Sequence, residues 1–175
     1  MGKVFILSII LMVSLLACSQ NLLAPEPVKR VDLVKYSGVW YEIARFPNNF
    51  QKNCDCTTAE YIIVPGKSYI QVVNRCFDFK KNESNFVKGK AFVADTLTNA
   101  RLKVQFFWPF KSDYWIIGLD EAYNWAIVST PNREYLWILS RTKTLSDSTF
   151  NLIKDQLLSK KFDLSKLYIS KQTCN

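Results

Sequence analysis

The chain of 175 residues contains no histidine and only five glycines. Without histidine, the Ser-His and Cys-His arrangements of nucleophilic catalysis are excluded. Cys54-Asp55-Cys56 is a poor zinc pattern because its spacing is too short and no histidine completes it. The scattered glycines form no phosphate-binding loop, and the carboxylates form no recognisable acid–base pair. We therefore expect a protein that is not an enzyme, with no catalytic residue, no metal and no cofactor.

The sequence also lacks an apolar run of the about 20 residues that a membrane-spanning helix needs. A shorter apolar stretch, Val4–Ala17, follows the basic Lys3, and this arrangement is typical of a secretory signal peptide over residues 1–17. Its ending, Leu-Leu-Ala-Cys, resembles the bacterial lipobox, in which the cysteine is acylated and becomes the new N-terminus. Ser19 rather than Asp follows Cys18, which favours the outer membrane. We expect lipidation of Cys18 and an outer-membrane, lipid-anchored, periplasm-facing protein. An ordinary secretory signal with an unmodified cysteine is the alternative.

The chain after the predicted signal peptide is interpreted as two parts. Residues 18–30 contain Pro25 and Pro27 and are predicted to be a short extended tether between lipid and domain. Residues 31–175 have the size of one domain with a sizeable core. The net charge of +8 is spread along the chain, which is typical of a solvated surface, and no nucleic-acid partner is expected.

The cysteines other than Cys18 are even in number, as expected for disulfides in an exported protein. Three pairings of them are open. These cysteines are Cys54, Cys56, Cys76 and Cys174.

Eight alternating, β-branched or aromatic runs follow one another from Gly38, separated by turn residues such as those at 65–68. One helical repeat of apolar residues then occupies Ser146–Ser159. One helix cannot cover both faces of eight strands, so we predict an all-β fold, with an antiparallel up-and-down barrel and a C-terminal helix packed outside. The predicted strands are 38–46, 57–64, 69–76, 86–95, 100–107, 114–119, 124–130 and 135–142.

Three ordered motifs carry a family resemblance. Gly38-x-Trp40 stands in "GVWYEIARFPNNF", Leu119-Asp120 opens "LDEAYNWAIV", and Arg141 ends "YLWILSRT". Together with the trailing helix, they resemble the lipocalin family over residues 31–174. The similarity is to the bacterial outer-membrane lipocalins and to their animal relative, apolipoprotein D.

The resemblance implies a cup whose floor is formed by Gly38, Trp40, Asp120 and Arg141, with the Arg141 guanidinium stacked on the Trp40 indole. A solid barrel filled by its own side chains is the alternative. Strand parity, taken with the resemblance, predicts an apolar wall with few polar points. The expected ligand-binding residues are Ala44, Ala59, Tyr61, Val72, Asn74, Ala91, Val93, Leu102, Val104, Phe106, Trp137 and Leu139.

The hairpin that turns at 65–68 would bring residues 54–57 close to Cys76. The resemblance ties the terminal cysteine to the start of the second strand, which implies Cys54–Cys76 and Cys56–Cys174. Exchange of Cys54 for Cys56 stays open.

The resemblance also implies a function. It predicts binding, storage or transport of lipids such as fatty acids or lysophospholipids in the bacterial envelope. Partners would be a lipid or other small hydrophobic ligand and a membrane held through the N-terminal anchor, with a second copy of the chain as a further candidate. A structural envelope lipoprotein with a filled barrel and a lipid-modifying enzyme are the alternative functions.

Overall fold

Eight antiparallel strands form a closed barrel, as the alternating runs predicted. The computed structural model describes residues 23–174, so the expected signal peptide and Cys18 lie outside the described residues. The strands are β1 (Gly38–Arg45), β2 (Cys54–Ile63), β3 (Ile70–Asp78), β4 (Glu83–Val93), β5 (Arg101–Gln105), β6 (Ser112–Leu119), β7 (Trp125–Ser129) and β8 (Leu136–Ser140).

Closure follows from the up-and-down order of the strands. Each strand pairs with the next one in the chain, and β1 pairs with both β8 and β2. In the β2–β3 hairpin, Ala59 lies opposite Asn74 and Tyr61 opposite Val72, which is the register that a turn at 65–68 dictates. A closed barrel leaves few free strand edges, which removes a route to aggregation.

Two helices flank the barrel. Helix α1 (Leu33–Tyr36) starts at Asp32, whose carboxylate accepts hydrogen bonds from two backbone N–H groups. Helix α2 (Asp147–Ser159) is capped by Ser146 and buries Ile153 and Leu157. The predicted external helix is therefore confirmed. No described helix is long and apolar enough to cross a membrane.

A ninth strand, which the sequence did not predict, extends the sheet beside β1. β9 (Tyr168–Ile169) pairs with Ala44 and Arg45, and the chain after it runs between β1 and β2 where those strands separate. The backbone N–H of Cys56 donates to the carbonyl of Lys171 at 2.7 Å. The C-terminal segment thus completes the barrel wall in its upper half.

Both predicted disulfides are present. Cys54 is bonded to Cys76, which joins β2 to β3 across the hairpin. Cys56 is bonded to Cys174, which fixes the C-terminal segment against β2. The second bond spans 118 residues of sequence and the first only 22. The alternative exchange of Cys54 for Cys56 is therefore not the arrangement formed.

A β-bulge in β1 divides the core into two parts. The register of β1 on β8 shifts between Glu42 and Ala44, so Ile43 and Ala44 both lie in the outer cluster beneath α2. The inner cluster lies inside the barrel around Trp40. The prediction that Ala44 faces the barrel interior is therefore wrong, because strict alternation does not continue across a bulge.

Candidate functional site

The barrel is hollow in its upper half. A cavity of about 680 Å³ opens at the end formed by the β1–β2, β3–β4, β5–β6 and β7–β8 connections. This volume falls within the ordinary range for small-molecule sites, and the wall is mostly aliphatic and aromatic. The barrel is thus not filled by its own side chains.

The closed end is sealed by a cation on an indole. The guanidinium carbon of Arg141 lies 3.7 Å from the centre of the Trp40 ring, and the Trp40 side chain is fully buried. The Trp40 indole N–H donates to the carbonyl of Tyr36 at 2.8 Å. Both groups therefore satisfy their polar atoms while closing the floor.

Arg141 also fastens the segment that crosses beneath the barrel. Its guanidinium N–H groups donate hydrogen bonds of 2.7–3.1 Å to four backbone carbonyls, those of Lys35, Tyr36, Ser37 and Val39. Gly38 has φ +94°, a conformation that side chains disfavour, and a Cβ there would stand 3.5 Å from Arg141 Nη1. Glycine thus lets the chain turn from α1 into β1 above the guanidinium.

Asp120 supports the same end from the β6–β7 turn. Its carboxylate accepts hydrogen bonds from the backbone and side-chain N–H groups of Asn124 at 3.0 and 2.9 Å. The Asn124 carbonyl in turn accepts from the backbone N–H of Arg141. The Tyr123 hydroxyl, in the same turn, accepts from the backbone N–H of Asp32. Asp120 therefore positions the turn that holds Arg141.

Three tyrosines lie above Trp40 at the bottom of the cavity. The hydroxyls of Tyr36 and Tyr114 are 2.8 Å apart, and the rings of Tyr61 and Tyr114 are in contact. Burial raises the pKa of Tyr61, Tyr36 and Tyr114 above the ordinary tyrosine value, so all three hydroxyls stay protonated at neutral pH. The bottom of the cup is therefore aromatic and uncharged.

The structure brings most of the predicted wall residues to one cavity. Phe106 lies over Gly89, where an added Cβ would come within 2.6 Å of the ring. The close approach of β4 and β5 therefore holds the ring inside the cup. The predicted residues that line the cavity are Ala59, Tyr61, Val72, Asn74, Val104, Phe106, Trp137 and Leu139.

Four predicted residues do not line the cavity. Ala91, Val93 and Leu102 belong to the packed inner cluster below it, and Leu102 has no exposed surface. Ala44 lies outside the barrel because of the bulge. Strand parity predicts which side chains face the barrel interior, but it does not predict at which level the interior changes from packed side chains to open cavity. Ala91, Val93 and Leu102 face the interior below that level.

One wall carries a buried ion pair that the sequence did not predict. Strict alternation along β1 would place Glu42 and Arg45 on opposite faces, but the bulge brings the Arg45 guanidinium to 2.5 Å from the Glu42 carboxylate. Ser170 donates to the Glu42 carboxylate, and Gln51 Nε2 donates to its other oxygen at 2.7 Å. The Arg45 guanidinium stacks on Tyr168, 4.4 Å from the ring centre. The charge of Glu42 is thus compensated where it meets the cavity.

Two polar side-chain atoms on the cavity wall have no hydrogen-bond partner among the described residues. They are Thr57 Oγ1 and Asn74 Oδ1, both buried. Thr57 precedes Ala59 on the inner face of β2, and Ala59 lies opposite Asn74, so the two side chains are neighbours on adjacent strands. A buried hydroxyl or amide without a partner costs free energy, which a polar group on a ligand would recover.

Residues of the mouth complete the lining and were missed by strand parity because they lie in loops or at strand ends. The rings of Tyr135 and Trp137 stack 5.8 Å apart, and Phe50 packs on both. Phe107 and Phe110 line the cavity while remaining largely exposed. The aromatic character of "FFWPF" was the available signal for this part of the site.

Among the described residues, no three His, Cys, Asp or Glu side chains are placed to hold a metal ion. A second, shallower cleft of about 270 Å³ lies outside the floor beside Asp120 and Arg141, and its lining is largely polar. The main cavity, whose wall is mostly aliphatic and aromatic, is suited to the burial of an apolar group.

Comparison with known proteins agrees with this geometry. The model of the lipocalin-like domain family matches residues 31–172. The chain is 39% identical over 166 residues to the outer membrane lipoprotein Blc of Citrobacter freundii, which covers 89% of each chain. It is 32% identical over 158 residues to mouse apolipoprotein D, covering 85% of this chain and 81% of that protein.

A solved structure shares the fold at lower sequence similarity. Insecticyanin from the tobacco hornworm Manduca sexta superimposes with a TM-score of 0.70 at 22% identity, over 85% of this chain and 84% of that one. The family match covers nearly all of the described residues. The chain therefore belongs to the lipocalin family of proteins that bind small hydrophobic ligands.

Proposed function

We propose that this protein binds monoacyl lipids, such as fatty acids or lysophospholipids, and stores or carries them in a bacterial envelope. The observation that carries the proposal is the apolar cavity of about 680 Å³ above a sealed floor. Outer membrane lipoproteins with 38–39% identity over most of the chain support the envelope location. In this proposal the protein is anchored to the outer membrane through Cys18, faces the periplasm and does not act as an enzyme.

Burial of hydrocarbon supplies the affinity. Each methylene moved from water into an apolar site gains about 0.8 kcal/mol. A long acyl chain therefore offers several kcal/mol beyond the cost of immobilising it. The wall residues that would contact it are the apolar members of the predicted set that line the cavity: Ala59, Tyr61, Val72, Val104, Phe106, Trp137 and Leu139.

The test is to identify what the protein holds. Protein purified from envelopes without added lipid is extracted with organic solvent, and the extract is analysed by mass spectrometry. We expect near-stoichiometric fatty acid or lysophospholipid, and displacement of a neutral fluorescent probe, N-phenylnaphthylamine, by the same lipids. An extract without lipid, together with no binding of the probe, would contradict the proposal that the protein binds lipids. Conversion of added lipid to a product would instead show an enzyme.

The anchor is tested separately. Cys18→Ser should move the protein from the membrane fraction to the soluble periplasm, because the residue that carries the acyl chains is lost. Persistent membrane fractionation of this variant would contradict the anchor while leaving the ligand proposal intact.

A further inference from the structure

The exposed Phe and Trp residues of the described chain are gathered at one end. Trp108 is 86% exposed, and the other members of the set lie in or next to loops around the cavity mouth. We call this set the aromatic rim: Phe50, Phe79, Phe86, Phe107, Trp108 and Phe110. Exposing six large aromatic side chains together is costly in water, and such patches mark interaction surfaces.

The loops that carry the rim are also basic. The connections at 46–53, 79–82, 106–111 and 130–135 contain five cations and one carboxylate, that of Glu134. Four of the cations are exposed lysines, Lys52, Lys80, Lys81 and Lys111, of which Lys81 also pairs with Glu83 at 3.6 Å. Aromatic side chains flanked by lysines match the interface of an anionic lipid bilayer, where rings enter the headgroup layer and ammonium groups meet phosphates.

The course of the N-terminal segment places the expected anchor at the same end. The carbonyl of Leu23 accepts hydrogen bonds from the guanidinium of Arg133, in the β7–β8 loop at the mouth. From there the chain runs down the outside of the barrel. The Val28 N–H donates to the carbonyl of Ile116, and the Val31 N–H donates to that of Thr98 at the closed end.

The remaining distance to the anchor is short. Leu23 follows Cys18 by five positions, and five residue steps span at most about 18 Å when fully extended. Leu23 itself is 86% exposed beside the mouth. A lipid on Cys18 would therefore hold the mouth, rather than the floor, close to the membrane surface.

We propose that the barrel stands mouth-down on its own anchoring bilayer, with the aromatic rim inserted in the headgroup layer. The proposal rests on the lipidation of Cys18 in the proposed function. In this orientation a lipid passes between the bilayer and the cavity along Phe107 and Phe110, which border both. An acyl chain then avoids crossing open water during exchange.

Two tryptophan reporters test the orientation in the full lipidated protein. The protein is reconstituted in vesicles of phosphatidylethanolamine and phosphatidylglycerol, with and without brominated acyl chains that quench tryptophan on contact. We expect bromolipid quenching in the wild type that falls sharply in Trp108→Phe, and any remainder is assigned to Trp137, which lines the cavity that the lipid enters. Leu97, equally exposed at the closed end, provides the matched control: Leu97→Trp in the Trp108→Phe background should be quenched by aqueous acrylamide but not by bromolipid.

The other outcomes each overturn the orientation. Bromolipid quenching of the residue-97 reporter would show a barrel standing on its floor. Quenching of neither reporter would show a barrel that tumbles on its tether. Protection of Trp108 from both quenchers, rising with protein concentration, would show that a second copy of the chain covers the mouth.

A last experiment tests whether the aromatic rim binds membranes independently of the lipid anchor. The mass of the intact protein is measured first, and absence of acyl chains would overturn the orientation on an anchoring bilayer. The unlipidated Cys18→Ser protein is then sedimented with the same vesicles. We expect weak binding that falls at least fivefold with Trp108→Ser plus Phe110→Ser and is unchanged by Val34→Ser plus Leu97→Ser at the closed end. Equal binding by both double variants would overturn the role of the rim.

Discussion

The two ends of the barrel meet opposite demands. At the closed end, Arg141 donates to four backbone carbonyls and stacks on Trp40, so polar groups there find partners inside the protein. At the open end, aromatic rings remain in solvent and Thr57 and Asn74 keep unpaired polar atoms. The closed end is held by a network of non-covalent contacts, whereas the mouth leaves groups free for other molecules and is stabilised by two disulfide bonds. Four substitutions test this division.

The largest loss of stability is expected from removing the disulfide bond between Cys56 and Cys174, which lies at the mouth. Replacing both with alanine should lower the free energy of unfolding by about 4 kcal/mol, because the bond closes a loop of 118 residues in the unfolded chain. Urea denaturation measures the loss. The Cys54–Cys76 pair, which closes only 22 residues, is the matched control and should cost less, about 3 kcal/mol. An equal or reversed order would show that the C-terminal segment needs no covalent tie.

Arg141→Met should cost about 3 kcal/mol of stability while leaving lipid affinity nearly unchanged. The substitution leaves four carbonyls without their donor and removes the cation from Trp40. Arg101→Met is the control, because Arg101 also lies over an indole, that of Trp115, on the barrel exterior. That change should cost less than about 1 kcal/mol. If the two variants unfold at the same urea concentration, the hydrogen bonds and ring stacking of Arg141 do not stabilise the closed end.

Much of this fold could be predicted from the sequence because its strongest signals are local. Alternation and turn residues identify eight strands, and the turn at 65–68 sets the β2–β3 register, which brings residues 54–57 close to Cys76. The choice of Cys54 for that bond came from the family resemblance. The spacing of Ile153 and Leu157 identifies the outer helix. The three family motifs predict that Trp40 and Arg141 lie together at one end of the barrel, and the two side chains are stacked there.

The rest depends on contacts that no local pattern encodes. Ile43 and Ala44 are both apolar, so alternation alone does not indicate that a bulge turns both of them outward. Glu42 meets Ser170, 128 residues away, through a strand of only two residues that is too short to show periodicity. The height of the packed floor, which excludes Leu102 from the cavity, depends on how all the inner side chains fit together.

Phe106→Arg should lower the affinity for N-phenylnaphthylamine and for acyl lipids at least thirtyfold, which corresponds to about 2 kcal/mol. A guanidinium on the apolar wall both fills the cup and loses its hydration there. Gln105→Arg adds the same charge to the outer face of β5 and should bind normally. Unfolding of both variants in urea should agree within about 1 kcal/mol. Normal binding by Phe106→Arg would place the ligand elsewhere.

The smallest expected effect is a change in lipid selectivity at the upper half of the barrel, and it concerns Thr57. Its hydroxyl is buried on the cavity wall, one strand away from Asn74, and neither Thr57 Oγ1 nor Asn74 Oδ1 has a hydrogen-bond partner among the described residues. A hydroxyl on a bound lipid would pair with both, so 12-hydroxystearate should bind about fivefold more tightly than stearate, the worth of one hydrogen bond. Thr57→Val should remove that preference without changing stearate affinity, whereas Thr58→Val, on the outer face, should keep it. Equal affinities for the two lipids in the wild type would show that ordered water suffices for these atoms and that the wall does not select among lipids.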